Sequence, residues 1–590
     1  MAVALDFESF YSKQTGISTQ GSWHYLQDPA CEIYMVAVYG EGIEFVGRPE
    51  EFDWQLLQGK FLIAHNLAWD GLVLAILQER GIVPEGLRIS GSGCTANLSV
   101  FLGAPRNLAG AAKQLLGIDH SKDLRTWMKG KTWADAVEAG KAQELRDYCL
   151  RDAQACHAIW EKYSAQWPEH ERVLAKQTML IGWRGFRVDA ERVEAAITHL
   201  ERVKFDAARL IPWSDGDSAV LSPKALGEEC RKVGIKPPPS LSEDDPACEA
   251  WEREHGGQYP WVGAMRDFRK TNALLEKLKT MRARTRPTDG CMSYGLKYFG
   301  AATGRWSGDA GFSVQNLQRG ESYGVDLRGC IVPRPGHKLV TCDLAQIEPR
   351  CLAWLVGDQA FLDQIAEGIP LYEAHARNTM GWRGGNLKKE DGRLYQLAKA
   401  RVLGLGYGCG PDKFRTIAKT MCGLEISERE AQETVAAFRG SNRAITGLWN
   451  RLQTDCRRSV GGNYEVELPS GRKLTYFNVS SRGGWTFQTE RGGIVQKFYG
   501  GRLAENCLGG ETEVLTKRGW VPISGVLPHD LVWDGGEWVR HDGVVEQGER
   551  ETIDFGGVRI TPDHKVLTGA GWMAASETTH QEAAQYYAEA

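Results

Sequence analysis

The run Val340-Thr341-Cys342-Asp343-Leu344-Ala345-Gln346-Ile347-Glu348-Pro349-Arg350 decides how this 590-residue chain is to be read. Residues 337–342 form an apolar stretch that reads as a strand. The acid at its end, Asp343, can therefore reach a site at the strand's mouth. Upstream stand Thr303-Gly304-Arg305-Trp306-Ser307 and Asn316-Leu317-Gln318. Downstream, Lys399, Leu403 and Tyr407 recur at i, i+4 and i+8, the spacing of one helical face. Gly404, Gly406 and Gly408 leave the backbone there open to close approach. Lys399 is a point charge suited to phosphate, and Tyr407 can stack; the same stripe also serves ordinary core packing.

Together these segments resemble the DNA polymerases of family A, the group of bacterial DNA polymerase I and many phage enzymes. The resemblance implies that Asp343 holds two metal ions and that Gln346 and Glu348 face the incoming nucleotide, Glu348 excluding a ribose 2′-hydroxyl. Lys399 would take the triphosphate, with Leu403 and Tyr407 beside the nascent pair. Arg305, Gln318 and Arg350 would meet the DNA. Arg305 can donate to a minor-groove acceptor that every correct pair presents at a similar place, which checks pair shape without reading sequence; its plain alternative is a surface salt bridge. Two positions depart from the family pattern. Leu403 replaces an aromatic, and Tyr395 replaces an arginine, leaving Arg393 or Arg401 to meet the γ-phosphate. The thumb is expected at about 190–290, with Arg266, Arg269, Lys270, Lys277 and Lys279 to track phosphates, and palm and fingers at about 291–506.

Residues 1–165 alternate short apolar strands (3–7, 33–39, 61–64) with helical stretches, an α/β pattern. Asp6 and Glu8 lie two apart on the first strand and leave the same face. Asp70 follows the third strand, and Tyr148 and Asp152 lie four apart on a helix. Four carboxylates from separate elements can hold two Mg²⁺ (or Mn²⁺) ions roughly 3.5–4 Å apart, a clamp for phosphodiester hydrolysis, with Tyr148 orienting the water. Any one such acid alone would be a solvated surface charge. The set resembles the 3′→5′ proofreading exonucleases of the ribonuclease H-like type, with metals on Asp6, Glu8, Asp70 and Asp152.

At Cys507 the texture changes to short strands broken by Gly-Gly, Asp-Gly and Arg-Gly turns, an all-β pattern. The Cys507 thiol follows Asn506 and can attack its carbonyl to form a thioester. Thr561-Pro562-Asp563-His564 supplies groups to hold the scissile peptide (Thr561) and protonate the departing nitrogen (His564). This arrangement resembles the N-terminal part of an intein, with a Hint-like all-β fold. The family's later palm motif, His-Asp-Glu, does not precede Cys507, and His541-Asp542-Gly543 lacks its glutamate. The expectation is a precursor of three parts: exonuclease (1–165), incomplete polymerase (170–506) and intein segment (507–590). A second chain would carry the complementary intein half and the C-terminal polymerase fragment. The alternatives are a stand-alone nuclease and a truncated, inactive gene product.

Bulk properties agree with a multidomain chain of α/β and α+β parts. From Cys507 onward 6 basic residues face 14 acidic ones, whereas residues 1–506 carry 65 against 61. A mildly positive body permits a basic groove for phosphate backbones without proving one. No apolar run approaches the ~18 residues that cross a bilayer, and Asp6 and Glu8 fall where a signal peptide needs an apolar core. The 14 cysteines include no C-x-x-C pair, which fits a reducing cytoplasm and argues against structural zinc or a disulfide framework. The partners expected are a DNA primer–template and deoxynucleoside triphosphates.

Overall fold

Alternation in residues 2–8 sends small and large apolar side chains to opposite faces of one strand, and the N-terminal sheet is built around it. The computed structural model describes residues 2–119, 123–241, 245–301, 303–341, 344–468, 472–481 and 486–506, with eight short strands beyond. In it β1 (Val3–Ser9) pairs antiparallel with β2 (Ile33–Gly40), which pairs with β3 (Ile43–Gly47). On its other side β1 runs parallel to β4 (Phe61–Ala64), itself parallel to β5 (Gly91–Cys94), giving the order β3-β2-β1-β4-β5. Val3, Leu5 and Phe7 enter one core with Leu62 and with Val73 and Leu77 of α1 (Leu67–Glu79). Ala2 and Ala4 enter the other with Ile63, with Leu124 of α2 (Asp123–Trp127), and with Leu145 and Cys149 of α3 (Ala142–Tyr163). Each fully buried Leu or Ile contributes roughly 1.5–3 kcal/mol, so the sheet is held from both faces.

A helix α4 (Glu169–Arg184) leads into α5 (Ala190–Ala208) and α6 (Pro260–Arg284). Proline in the first turn of α6 costs no helical hydrogen bond there. Val193, Ile197 and Leu200 pack against Leu274, Leu275, Leu278 and Met281. On the outer side Arg266 pairs with Glu252, and Lys279 with Glu201 at 2.9 Å, so these expected phosphate-tracking cations are engaged within the chain.

Next come α7 (Ile347–Val356), α8 (Gly392–Ala400) and α9 (Arg443–Arg458). An antiparallel sheet of β6 (Tyr464–Glu467), β7 (Lys473–Ser480), β8 (Phe487–Arg491) and β9 (Ile494–Phe498) follows in chain order. Then α10 (Gly500–Asn506) lies on α9. A Cβ on Gly500 would sit 2.0 Å from the Trp449 carbonyl oxygen, so the close contact requires glycine.

Two expectations are corrected here. Residues 337–341 form no strand. Leu339 and Val340 are 55% and 79% exposed, an apolar run that no strand pairs with among the described residues. The helix through Lys399 also does not continue as α to Tyr407. It ends at Ala400 and gives way to a π turn, Arg401–Leu405, whose wider repeat takes Leu403 and Tyr407 off one α-helical stripe. Tight packing of Gly404 against Ile417 and the Trp449 indole N–H bond to the Gly406 carbonyl (3.2 Å) hold this deviation.

The N-terminal sheet unit and the β6–β9 sheet meet along a seam. The Gly492 N–H donates to the Gly103 carbonyl at 3.0 Å. A Cβ on Gly103 would stand 2.9 Å from the Thr475 carbonyl oxygen. Beside this, the Arg472 guanidinium lies 4.7 Å from the Phe101 ring centre and 3.9 Å from that of Phe299, and it pairs with Glu171 at 3.5 Å.

Beyond residue 506 the described residues all lie in short strands. Glu513–Thr516, Gly519–Pro522, Leu531–Trp533 and Trp538–Arg540 form one antiparallel sheet. Ile553–Phe555 pairs with Val558–Ile560, and Lys565–Thr568 with Gly571–Ala574. Cys507, Thr561 and His564 lie outside the described residues. Among the described residues no helix is long and apolar enough to cross a membrane.

Candidate active sites

The period of two that buries Phe7 on one face of β1 puts Asp6 and Glu8 on the other, against α3. Asp152 arrives there one turn after Tyr148. One carboxylate oxygen each from Asp6, Glu8 and Asp152 lies within 4.8 Å of the others. Three of the four expected ligands therefore converge. Asp70 is set back: it sits in the first turn of α1, 4% exposed, and its Oδ1 accepts the Phe7 N–H at 3.3 Å. The fourth acid thus reaches the cluster through the backbone of β1.

Crowding acids in a partly dry site raises their proton affinity. Burial pushes the Asp6 carboxyl well up, and the neighbouring Asp152, Glu8 and Asp70 add to it. The buried Cys149 thiol, 3.5 Å from Asp6 Oδ2, opposes this as a donor. Glu8 is raised to about 7 by burial, against the attraction of Arg125. Asp70 also rises to about 7, burial outweighing the Phe7 N–H and the helix N-terminus. Burial, then Asp152 and Glu8, hold the Tyr148 phenol far above its ordinary value, so it is an O–H donor. A set of hard carboxylate oxygens under mutual repulsion fits Mg²⁺ or Mn²⁺, which would relieve that repulsion.

Arg125 was absent from the sequence reading. No pattern singled it out among the basic and aromatic residues of 124–133.

The second group of residues is differently disposed. Asp343 lies outside the described residues. Gln346 has φ 53°, the left-handed region, and caps the start of α7. Arg305 and Glu348 are brought into an ion pair, with side chains 66% and 40% exposed. The Arg350 Nε–H donates to the Ala345 carbonyl at 2.9 Å, a role within the turn itself. Gln318 is exposed, and Lys399, Leu403 and Tyr407 are each half-buried. Of the two arginines expected near a γ-phosphate, Arg401 is 4% exposed and lies over the Phe438 ring at 5.7 Å, inside the helical core. Arg393 stays at the surface, paired with Glu430 at 2.8 Å.

This architecture, an α/β unit with an acid cluster followed by long helices and an antiparallel sheet, is the fold of a solved polymerase domain. The chain overlays the POL domain of Pol1 from M. smegmatis, solved in complex with DNA primer-template and dNTP, with a TM-score of 0.54. Sequence identity is 17%, over 86% of this chain and 82% of that one. Residues 221–491 match the model of DNA polymerase family A. It is 26% identical to the DNA polymerase of Bacillus phage SP02 over 493 residues, 70% of this chain and 74% of that protein. It is 28% identical to DNA polymerase I of Aquifex aeolicus and to the DNA polymerase of Escherichia phage T5. The matches cover 52% and 42% of this chain, but only 50% and 31% of those proteins.

Proposed function

We propose that this chain extends a DNA primer on a template from deoxynucleoside triphosphates, in the cytoplasm of its host cell, and edits 3′ ends in its N-terminal part. The family match over 221–491 and the phage relative support the first activity. In this reading Asp343 is the palm carboxylate and Lys399 draws in the triphosphate, with Gln346, Glu348, Leu403 and Tyr407 around the nucleotide. Arg305, Gln318 and Arg350 lie along the DNA. The Arg305–Glu348 pair must open for both side chains to meet substrate, and an exposed pair opens at a cost of about 0–1 kcal/mol.

The convergence of Asp6, Glu8 and Asp152 carries the editing reading, and the β3-β2-β1-β4-β5 order agrees with a ribonuclease H-like unit over 1–165. Two bound Mg²⁺ ions would there stabilise the charge developing on the attacking and leaving oxygens. The chain's own residues do the rest: Asp6, Glu8 and Asp152 supply ligand oxygens, Asp70 steadies β1, and Tyr148 donates its O–H to the attacking water. The test is release of nucleotides from a 3′-labelled single strand with Mg²⁺, beside an Asp6→Ala variant. Undiminished release by that variant would reject the reading.

The third part of the proposal is protein splicing from 507 onward. It is supported by Cys507, Thr561 and His564 in sequence and by the antiparallel strand pairs between 513 and 574. The Cys507 sulfur gives up its proton and bonds to the Asn506 carbonyl carbon as the peptide C–N bond breaks; the freed nitrogen takes a proton from His564, which the thiol proton replaces. Ligation of residues 1–506 to a polymerase segment with the second palm carboxylate then completes the enzyme. Thiol-induced cleavage after Asn506 in the wild type, lost in Cys507→Ala, is the outcome expected; cleavage in both would reject it.

A further inference from the structure

A short strap, residues 123–131, lies beside the N-terminal acid cluster and carries a cation, Arg125. Its helix, α2, is pinned from inside by Leu124 and Met128, 7% and 2% exposed, in the same core as Tyr148 and Cys149. From outside it is tied to Tyr11, three positions past Glu8 on the chain that leaves β1. The Tyr11 O–H donates to the Arg125 carbonyl at 2.5 Å, and the Gly130 N–H donates to the Tyr11 carbonyl at 2.7 Å. The strap is therefore fixed relative to β1, and Arg125 with it.

The side chain is exposed, so a ligand can reach it. Its charge nevertheless acts inward, on Glu8, Tyr148, Tyr11 and Asp6. Further along, the Lys131 ammonium stands 4.5 Å from the Trp127 ring centre, and that of Lys141, which also pairs with Glu144 at 2.9 Å, stands 5.4 Å from it. Basic groups interleaved with an aromatic are the ordinary means of tracking a single strand. A cluster of four acids repels a phosphodiester, and a fixed guanidinium beside it can grip two phosphate oxygens at once.

We propose that Arg125 is a substrate-binding residue that grips the phosphate at the 3′ end of single-stranded DNA and seats it over Asp6 and Glu8. The assignment rests on the editing function proposed above. A charge that served only to steady Glu8 would change metal affinity and leave strand binding alone, which separates the two roles.

The experiment uses the full chain with a fluorescent single-stranded oligonucleotide. Binding is read by anisotropy in EDTA, hydrolysis in Mg²⁺, for wild type, Arg125→Ala, Arg125→Lys and Asp6→Ala. Arg125→Ala is expected to weaken binding and lower kcat/KM by about tenfold to a hundredfold, the loss of a charge-assisted hydrogen bond. The log–log salt slope of binding should become shallower by about 0.7, one phosphate contact on a single strand. Arg125→Lys should restore the slope and part of the rate, and melting should stay unchanged. Wild-type binding and slope in Arg125→Ala overturns the proposal, as does a loss of binding explained by a lower melting temperature with no recovery in Arg125→Lys. A wild type that binds through Arg125 yet hydrolyses nothing overturns the editing reading and keeps the phosphate grip; one that does neither overturns both.

Discussion

Two acid-bearing segments of this molecule end in opposite conditions. Asp6 and Glu8 lie on a strand with neighbours on both sides, and their side chains meet Asp152 in a defined cluster. Residues 337–341, which lead to Asp343, have no strand partner, and two of their apolar side chains stand in solvent. A carboxylate is placed by the hydrogen bonds of its strand's neighbours more than by the strand's own sequence. The N-terminal segment inherits its geometry from β2 and β4, while the second lacks any such frame among the described residues.

The comparison can be broken most sharply at the cluster itself. Asp6→Ala should lower 3′→5′ hydrolysis by about a thousandfold or more, because under the proposed editing function it removes one of the carboxylates that would hold the metals; steady-state rates on a labelled strand check it. Next comes the frame. Ile63→Ala, at a fully buried position of β4, should cost about 2–5 kcal/mol in denaturant unfolding of the N-terminal unit. Leu339→Ala, at the unpartnered run, should stay within about 0.5 kcal/mol.

A third test sharpens the electrostatic contrast. The Glu8 and Asp70 carboxyls are raised to about 7, so protonation stabilises the metal-free fold. That contribution is complete below their ordinary range near 4 and is lost as pH rises through 7. In EDTA the melting temperature should therefore fall between pH 5 and pH 8. Added Mg²⁺ should raise it more at pH 8 than at pH 5. An Mg²⁺ effect independent of pH would contradict the cluster as drawn. A small effect is also expected at the ion pair beside the second segment: Arg305→Ala should change stability by less than about 1 kcal/mol, since its pair with Glu348 is exposed.

Local pattern made much of this legible. Strands expected at 3–7, 33–39 and 61–64 appear at Val3–Ser9, Ile33–Gly40 and Phe61–Ala64. The helix Pro260–Arg284 buries Phe268, Leu275 and Leu278 along one face. In each case a period of two or 3.6 coincides with a buried face, so sequence and packing agree. What pattern could not convey was tertiary. The run at 337–342 has the composition of a strand, but pairing depends on residues elsewhere. The π turn after Ala400 arises from glycines packed on Ile417 and Trp449, contacts that spacing does not encode. Arg125 is one of many arginines until Tyr11 fixes it, and Asp70 looks equivalent to its three companions until the Phe7 N–H claims it.

The seam at Gly103 has a mechanical corollary. Main chain there meets main chain, at Gly492 and Thr475, and the Phe477 ring closes on the same glycine, so little room is left to take up slack. A joint of that kind transmits displacement instead of absorbing it, as a keyed shaft does. Under the proposed function, traffic of a frayed 3′ end between the synthesis and editing sites would then be a journey made by the DNA across a rigid chassis.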